Sequence, residues 1–173
     1  MNELKQFSDR FKLITVLGAT AGGKTAFAAK LAYLTDREII SADSRQVYRR
    51  MDIGTGKDLE DYVVDGMRVP VHLIDICEPG TKYNVYQYQQ DFIASFREIQ
   101  SREKNAILCG GSGMYIEAII KEYELIAVPH NPELRKKLEP EEISSLTDWL
   151  KSYKNLHNIS DTSDKERLIR AVE

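Results

Sequence analysis

The sequence predicts an α/β fold in which a parallel sheet carries helices on both faces, with a helical appendage after about residue 129. Three observations point there. Short apolar, β-branched segments alternate with segments of helical periodicity, glycine-rich turns follow two of the strand-like segments, and past Pro129 helical segments continue without a strand between them. The division this suggests is a core over residues 1–128 and the start of a helical region over 129–173.

In chain order, Leu13 to Leu17 is short, apolar and β-branched, as a buried strand requires. Gly18 to Gly23 supplies turn residues, and Lys24 to Leu34 is alanine-rich with helical spacing. Glu38 to Ala42 is a second strand that ends at Asp43-Ser44. Val71-His72-Leu73-Ile74 is a third, inside an apolar run from Val69 to Ile76. Val85 to Gln100 is an amphipathic helix whose Tyr88, Phe92 and Phe96 fall at i, i+4 and i+8, a stripe that belongs in the core. Ala106 to Cys109 is another buried strand, Gly110-Gly111-Ser112-Gly113 a second glycine-rich turn, and Met114 to Ile120 the helix after it. Asn131 to Leu138, Pro140 to Tyr153 and Asp164 to Glu173 are helical. The last has a helix start and no stop signal, so a chain cut within a helix is expected.

With 42% hydrophobic and 29% charged residues among 173, and a net charge of −3, the chain reads as soluble and globular. Its apolar runs are strand-sized, far below the roughly 18 residues of a membrane helix, and no signal-peptide pattern opens it. Cys77 and Cys109 lack metal-ligand spacing, and His72, His130 and His157 are scattered, so reduced thiols and a cytoplasmic location follow. Composition announces no nucleic-acid partner, although a local basic patch would suffice to bind phosphates.

The strongest motif is Gly18-Ala19-Thr20-Ala21-Gly22-Gly23-Lys24-Thr25, which satisfies G-x-x-x-x-G-K-[ST] between a strand and a helix. Glycines let successive N–H groups converge with the helix N-terminus on one anion, Lys24 adds a point charge, and the Thr25 hydroxyl is suited to Mg²⁺. This predicts a nucleotide- or diphosphate-binding loop and makes the fold P-loop NTPase-like. Two carboxylates close strands: Asp43, with polar neighbours, sits in an active-site setting, whereas Asp75, flanked by isoleucines, either caps a turn or assists a metal or takes part directly in the chemistry. Gly110 to Gly113 is a second anion-binding turn or a tight turn with Ser112 as helix cap. By spacing alone, Arg135-Lys136-Lys137 and the Lys165, Arg167, Arg170 set are solvated helix faces.

The phosphate loop, the run from Ile39 through Asp43-Ser44-Arg45-Gln46-Val47-Tyr48-Arg49-Arg50-Met51-Asp52-Ile53-Gly54-Thr55-Gly56-Lys57, then Val71 to Ile76, Leu108 to Tyr115 and Glu166 to Glu173, strongly resemble the tRNA dimethylallyltransferase family, in family order from about residue 12. The resemblance implies transfer of a dimethylallyl group from dimethylallyl diphosphate to N6 of an adenosine beside the anticodon, with Mg²⁺ and with Thr25 as its protein ligand. It implies that Gly18, Ala19, Thr20, Ala21, Gly22, Gly23, Lys24 and Thr25 hold the diphosphate, with Lys24 and Thr25 assisting its departure, and that Asp43 is the base. It also implies that Asp43, Ser44, Arg45, Gln46, Ser112, Arg135, Glu166, Arg167, Leu168, Ile169 and Arg170 meet the tRNA anticodon stem-loop, which reverses the bland reading of both basic clusters. Monomeric, membrane-free protein is expected.

The chain departs from the family where Ala19 replaces Pro, Gly22 replaces Ser and Ser112 replaces Thr, and in lacking a carboxyl-terminal portion that completes the donor channel and the RNA grip. The competing readings are a phosphate-loop kinase of a nucleoside or small metabolite, prenyl transfer to free adenine nucleotides, and a non-catalytic fragment that binds diphosphate or RNA.

Overall fold

The computed structural model describes residues 10–19, 21–153 and 164–173. They form two units, Met1–Leu125 and Ile126–Glu173.

In the first unit, β1 (Leu13–Leu17), β2 (Arg37–Ala42), β5 (Val71–His72) and β6 (Asn105–Gly110) make a parallel sheet in the order β1-β6-β2-β5. Strand alternation sends Ile39 and Ile107 to one face, where Ala28, Ala29 and Ala32 of α1 (Lys24–Thr35) pack on them. Alanine at these positions lets the helix approach the sheet closely. Ile40, Ala42, Ala106 and Leu108 face the other side, against Tyr88, Phe92 and Ile99 of α2 (Val85–Ser101) and Tyr115 and Ile116 of α3 (Gly113–Ile120). Ile39, Ile40, Ile107 and Leu108 are fully buried. Each contributes about 1.5–3 kcal/mol of transfer free energy. Helices therefore cover both faces, and the aromatic stripe of α2 is core: Tyr88 stacks on Tyr115 at 4.0 Å, and Phe92 on Phe96 at 5.8 Å. Asn84 and Gln87 form a capping box that starts α2.

The register matters most for the site. Leu17 pairs with Gly110, and Gly110 with Ala42, so β1, β6 and β2 end side by side and the loops after them leave from one edge. The strands lie so close there that a Cβ on Gly110 would sit 2.1 Å from the Ala42 carbonyl oxygen.

The third predicted strand is shorter than its apolar run. β5 stops at His72 because Leu73 and Asp75 adopt left-handed backbone (φ 63° and 55°), which ends the pairing with β2. A short hairpin precedes it, β3 (Val63–Val64) with β4 (Met67–Arg68), turning at Asp65-Gly66 with φ of 51° and 77°. A 3₁₀ turn at Leu59–Tyr62 leads into it, capped by the Asp58 side chain.

The second unit contains α4 (Pro132–Leu138), α5 (Ile143–Tyr153) and α6 (Lys165–Val172) around Leu138, Leu146, Leu150, Leu168 and Ile169. Asn131 caps α4 with Pro132 behind it, and Asp164 caps α6. The helix expected from Pro140 begins at Ile143, the intervening residues being spent on the turn. No helix among the described residues is long and apolar enough to cross a membrane.

Candidate active-site cleft

Where the three strands end, a cleft of about 360 Å³ opens between the phosphate loop, the start of the Asp43 segment and the Gly110-Gly111 turn. The loop reaches helix α1 through two left-handed residues, Ala21 (φ 59°) and Gly23 (φ 70°). Gly23 is the N-cap of α1 and no side chain caps the helix, which leaves the N–H groups of its first turn suited to an anion. Lys24 Nζ donates to the Ala19 carbonyl at 2.5 Å, folding its stem along the loop. Ala21 to Thr25 line the cleft; Gly18 and Ala19 flank it, and Thr20 lies outside the described residues, as does His157.

Asp43 follows β2 directly and is half-buried. Its Oδ1 accepts from the backbone N–H of Arg45 at 2.8 Å and of Gln46 at 3.3 Å. That local turn pins the carboxylate and leaves Oδ2 without a partner among the described residues. Gln46, also in the lining, donates from Nε2 to the carbonyls of Gly56 (3.1 Å) and Thr55 (3.4 Å), tying down the loop that forms another part of the wall.

Ser112 does cap α3 by position, but its hydroxyl is used elsewhere: Oγ accepts from Ser44 N–H at 2.8 Å and lies 3.1 Å from Ser44 Oγ. The second glycine turn is thus bonded to the segment that carries Asp43, and Gly110 and Gly111 contribute to the cleft while Ser44, Arg45 and Ser112 sit beside it. Cys109 lines the floor, its Sγ 3.7 Å from the Lys24 carbonyl; burial pushes the thiol up to about 11, so it stays protonated.

Asp75 is not in the lining. It accepts from Lys57 Nζ at 2.5 Å, and the same ammonium donates to Asp52 Oδ1 at 3.0 Å and the Tyr48 carbonyl at 2.9 Å. Of the roles open to Asp75, turn, metal or direct chemistry, none is what its contacts show: it neutralises a buried lysine outside the cleft lining. The wall also contains residues that the sequence does not single out as site residues: Ser41, Thr55, Gly56 and Cys109, which lie within motif blocks, and Asp61 and Tyr62, which lie between them.

In the second unit the predicted RNA residues divide. Leu168 and Ile169 are buried in its small core, so their side chains hold α6 in place. Arg135 pairs with Glu173 at 2.9 Å and Arg170 pairs with the same carboxylate at 2.5 Å while donating to the Val128 carbonyl. The two guanidiniums and the Asn131 N–H hold the Glu173 carboxyl far below the usual carboxylate range. Glu166 and Arg167 lie on the exposed side of α6.

A family profile described as IPP transferase matches residues 46–173. The chain is 59% identical over 163 residues to tRNA dimethylallyltransferase 1 of Parabacteroides distasonis, covering 94% of this chain and 53% of the relative. It is 54% identical over 165 residues to tRNA dimethylallyltransferase 2 of Phocaeicola vulgatus, covering 95% and 54%. The crystal structure of the full-length tRNA isopentenylpyrophosphate transferase from Bacillus halodurans superposes with a TM-score of 0.61 at 35% identity, over 93% of this chain and 54% of that one. The chain spans about half the length of the curated relatives it matches.

Proposed function

The chain belongs to the IPP transferase family, and on that premise we propose that it forms the diphosphate- and adenosine-binding part of an enzyme that transfers a dimethylallyl group from dimethylallyl diphosphate to N6 of an adenosine beside the tRNA anticodon. The observation that carries this reading is the shared register of β1, β6 and β2, which sets an anion-binding loop and a pinned carboxylate around one cleft.

The diphosphate is the leaving group. As the allylic C–O bond breaks, negative charge grows on it, and the N–H groups at the start of α1 together with Lys24 offset that charge where it develops. The adenine amine is a weak nucleophile because its lone pair is delocalised into the ring. It becomes acidic only as the new C–N bond forms, so a carboxylate suffices as base: Asp43 receives the N6 proton on Oδ2 while Oδ1 stays fixed by Arg45 and Gln46. The adenosine reaches the cleft flipped out of its stack, and Ser44, Arg45 and Ser112 stand next to the carboxylate to receive its neighbours. In the second unit, Glu166, Arg167 and the outer edges of Arg135 and Arg170 are the side chains suited to the anticodon stem-loop.

Mg²⁺ fits the donors present. Thr25, Ser41, Asp43 and Asp61 bring hard oxygens to the cleft, while the described residues hold no cluster of three or more His, Cys, Asp or Glu that would cage a metal unaided. That is the pattern of an ion held chiefly by substrate phosphates and water with one protein hydroxyl, Thr25. Bound there, Mg²⁺ would neutralise charge on the departing diphosphate. Monomeric protein in the cytoplasm completes the reading; both cysteines are free thiols.

The test joins the chain to the part of the Parabacteroides distasonis relative that it does not cover and supplies an anticodon stem-loop with labelled dimethylallyl diphosphate. Label on the adenosine next to the anticodon is expected. Phosphoryl transfer from ATP to a small acceptor, with no prenylated RNA, would contradict it.

A further inference from the structure

Tyr62 closes the 3₁₀ turn before β3 and is 3% exposed. Its ring packs with Ala28, Ala29 and Ala32 of α1 and with Cys109 of β6. Buried phenols ordinarily find a partner for the hydroxyl: fully buried Tyr88 donates to the Ser41 carbonyl at 3.1 Å, and the half-buried Tyr83 and Tyr48 donate to Asp91 at 2.7 Å and to the Thr81 carbonyl at 3.0 Å. Tyr62, like Tyr115, makes no such bond among the described residues, and of these two Tyr62 is the one that borders the cleft. No fully buried side-chain oxygen or nitrogen there lacks a partner. The Tyr62 hydroxyl therefore keeps its small remaining exposure, and the open space that the residue borders is the cleft.

We propose that the Tyr62 hydroxyl is a substrate-binding group, donating a hydrogen bond to an oxygen of the diphosphate held by the phosphate loop. The proposal rests on the diphosphate reading above. Ala28 and Ala29, on which the ring leans, lie one helical turn beyond Lys24 and Thr25 on the same faces of α1. Cys109, in the same packing cluster, touches the Lys24 carbonyl. The phenol thus borders the anion site from the sheet side of the helix. Burial, with the Cys109, Asp61 and Asp43 side chains nearby, pushes its ionisation well above the usual tyrosine range, so it offers a proton and never a competing negative charge. It lies between the motif blocks that carry the family resemblance, in the segment delivered by the Val63–Arg68 hairpin.

The experiment is calorimetric titration of the chain with inorganic pyrophosphate in the presence of Mg²⁺, for the unaltered protein, Tyr62→Phe and Lys24→Ala, with thermal unfolding of each in the absence of ligand. Tyr62→Phe should weaken pyrophosphate binding about tenfold or more, the usual cost of losing a hydrogen bond to a charged group. Its unliganded melting temperature should be unchanged or slightly raised, because the hydroxyl has no protein partner to lose. Undiminished affinity in Tyr62→Phe, with affinity lost in Lys24→Ala, would overturn the role of Tyr62 and leave the diphosphate reading standing. Failure of the unaltered protein to bind pyrophosphate would overturn both. A clear drop in the unliganded melting temperature of Tyr62→Phe would show a structural partner for the hydroxyl and overturn the proposal as well.

Discussion

Lys57→Met removes one ammonium and preserves most of the side chain's apolar length, so its effect isolates the charge. In the native protein that ammonium is 1% exposed and has three acceptors, Asp75, Asp52 and the Tyr48 carbonyl. Burial alone would lower the lysine pKa, but the hydrogen bonds it donates to Asp75 and Asp52 outweigh it and the net shift is upward. A raised lysine pKa means that the ion pair's contribution is complete below the unfolded value of about 10.4 and is lost only as pH rises through the folded one. A measurement at neutral pH therefore sees all of it. Breaking a fully buried pair costs about 3–5 kcal/mol. Here the side chains of Asp75 and Asp52 are 37% and 64% exposed and water recovers part of their loss, which brings the expectation to about 2 kcal/mol. For a chain of this length that is a fall in melting temperature of roughly 4–8 °C. Thermal unfolding of Lys57→Met, Asp75→Asn and the double variant should give single effects that fail to add by about 1 kcal/mol. Because Lys57 anchors the loop whose Thr55 and Gly56 carbonyls accept from Gln46, amide exchange should also become faster between residues 51 and 57. A melting temperature indistinguishable from the unaltered protein, or full additivity, would show that this ion pair does not stabilise the fold.

Three further outcomes follow from particular contacts. Gly110→Ala should destabilise the first unit by about 3 kcal/mol or more in denaturant unfolding, because the new methyl group meets the Ala42 backbone, which cannot swing aside. Glu38→Gln should cost about 1–3 kcal/mol at pH 7. Burial would raise the Glu38 pKa, yet the hydrogen bonds from His72 and Arg102 hold it below the usual range, so this stability is present above the unfolded value, is lost as pH falls through the folded one, and the variant's unfolding curve should meet the native curve at acid pH. Ser112→Ala leaves the Ser44 N–H without its acceptor and should raise the KM for the RNA substrate more than it lowers kcat.

The strands, the main helices and the phosphate loop were legible because each is local: Lys24 and Thr25 follow the last glycine, and Ile39-Ile40 or Ile107-Leu108 can only be buried strand. Asp43 was legible as a strand-end carboxylate, but its fixation by two backbone N–H groups appears only when the turn after β2 is seen. What escaped depended on distance along the chain or on backbone angle. Lys57 and Asp75 are 18 residues apart with no periodic relation, Ser44 and Ser112 are 68 apart, and nothing in Val71 to Ile76 announces that Leu73 and Asp75 turn left-handed and cut the strand short. The Asp65-Gly66 pair between short apolar segments was the available signal for the hairpin that brings Tyr62 to the cleft. The basic residues Arg135 and Arg170 read as free charge in sequence, whereas Glu173 engages both.

In the proposed reaction Asp43 is the base beside a separately built anion site. Asp43→Ala, in the chain joined to the remaining part of its Parabacteroides distasonis relative, should lower single-turnover prenyl transfer to the stem-loop by about 10²–10⁴-fold while pyrophosphate affinity stays at the level of the unaltered protein. Near-normal transfer by that variant would contradict the claim.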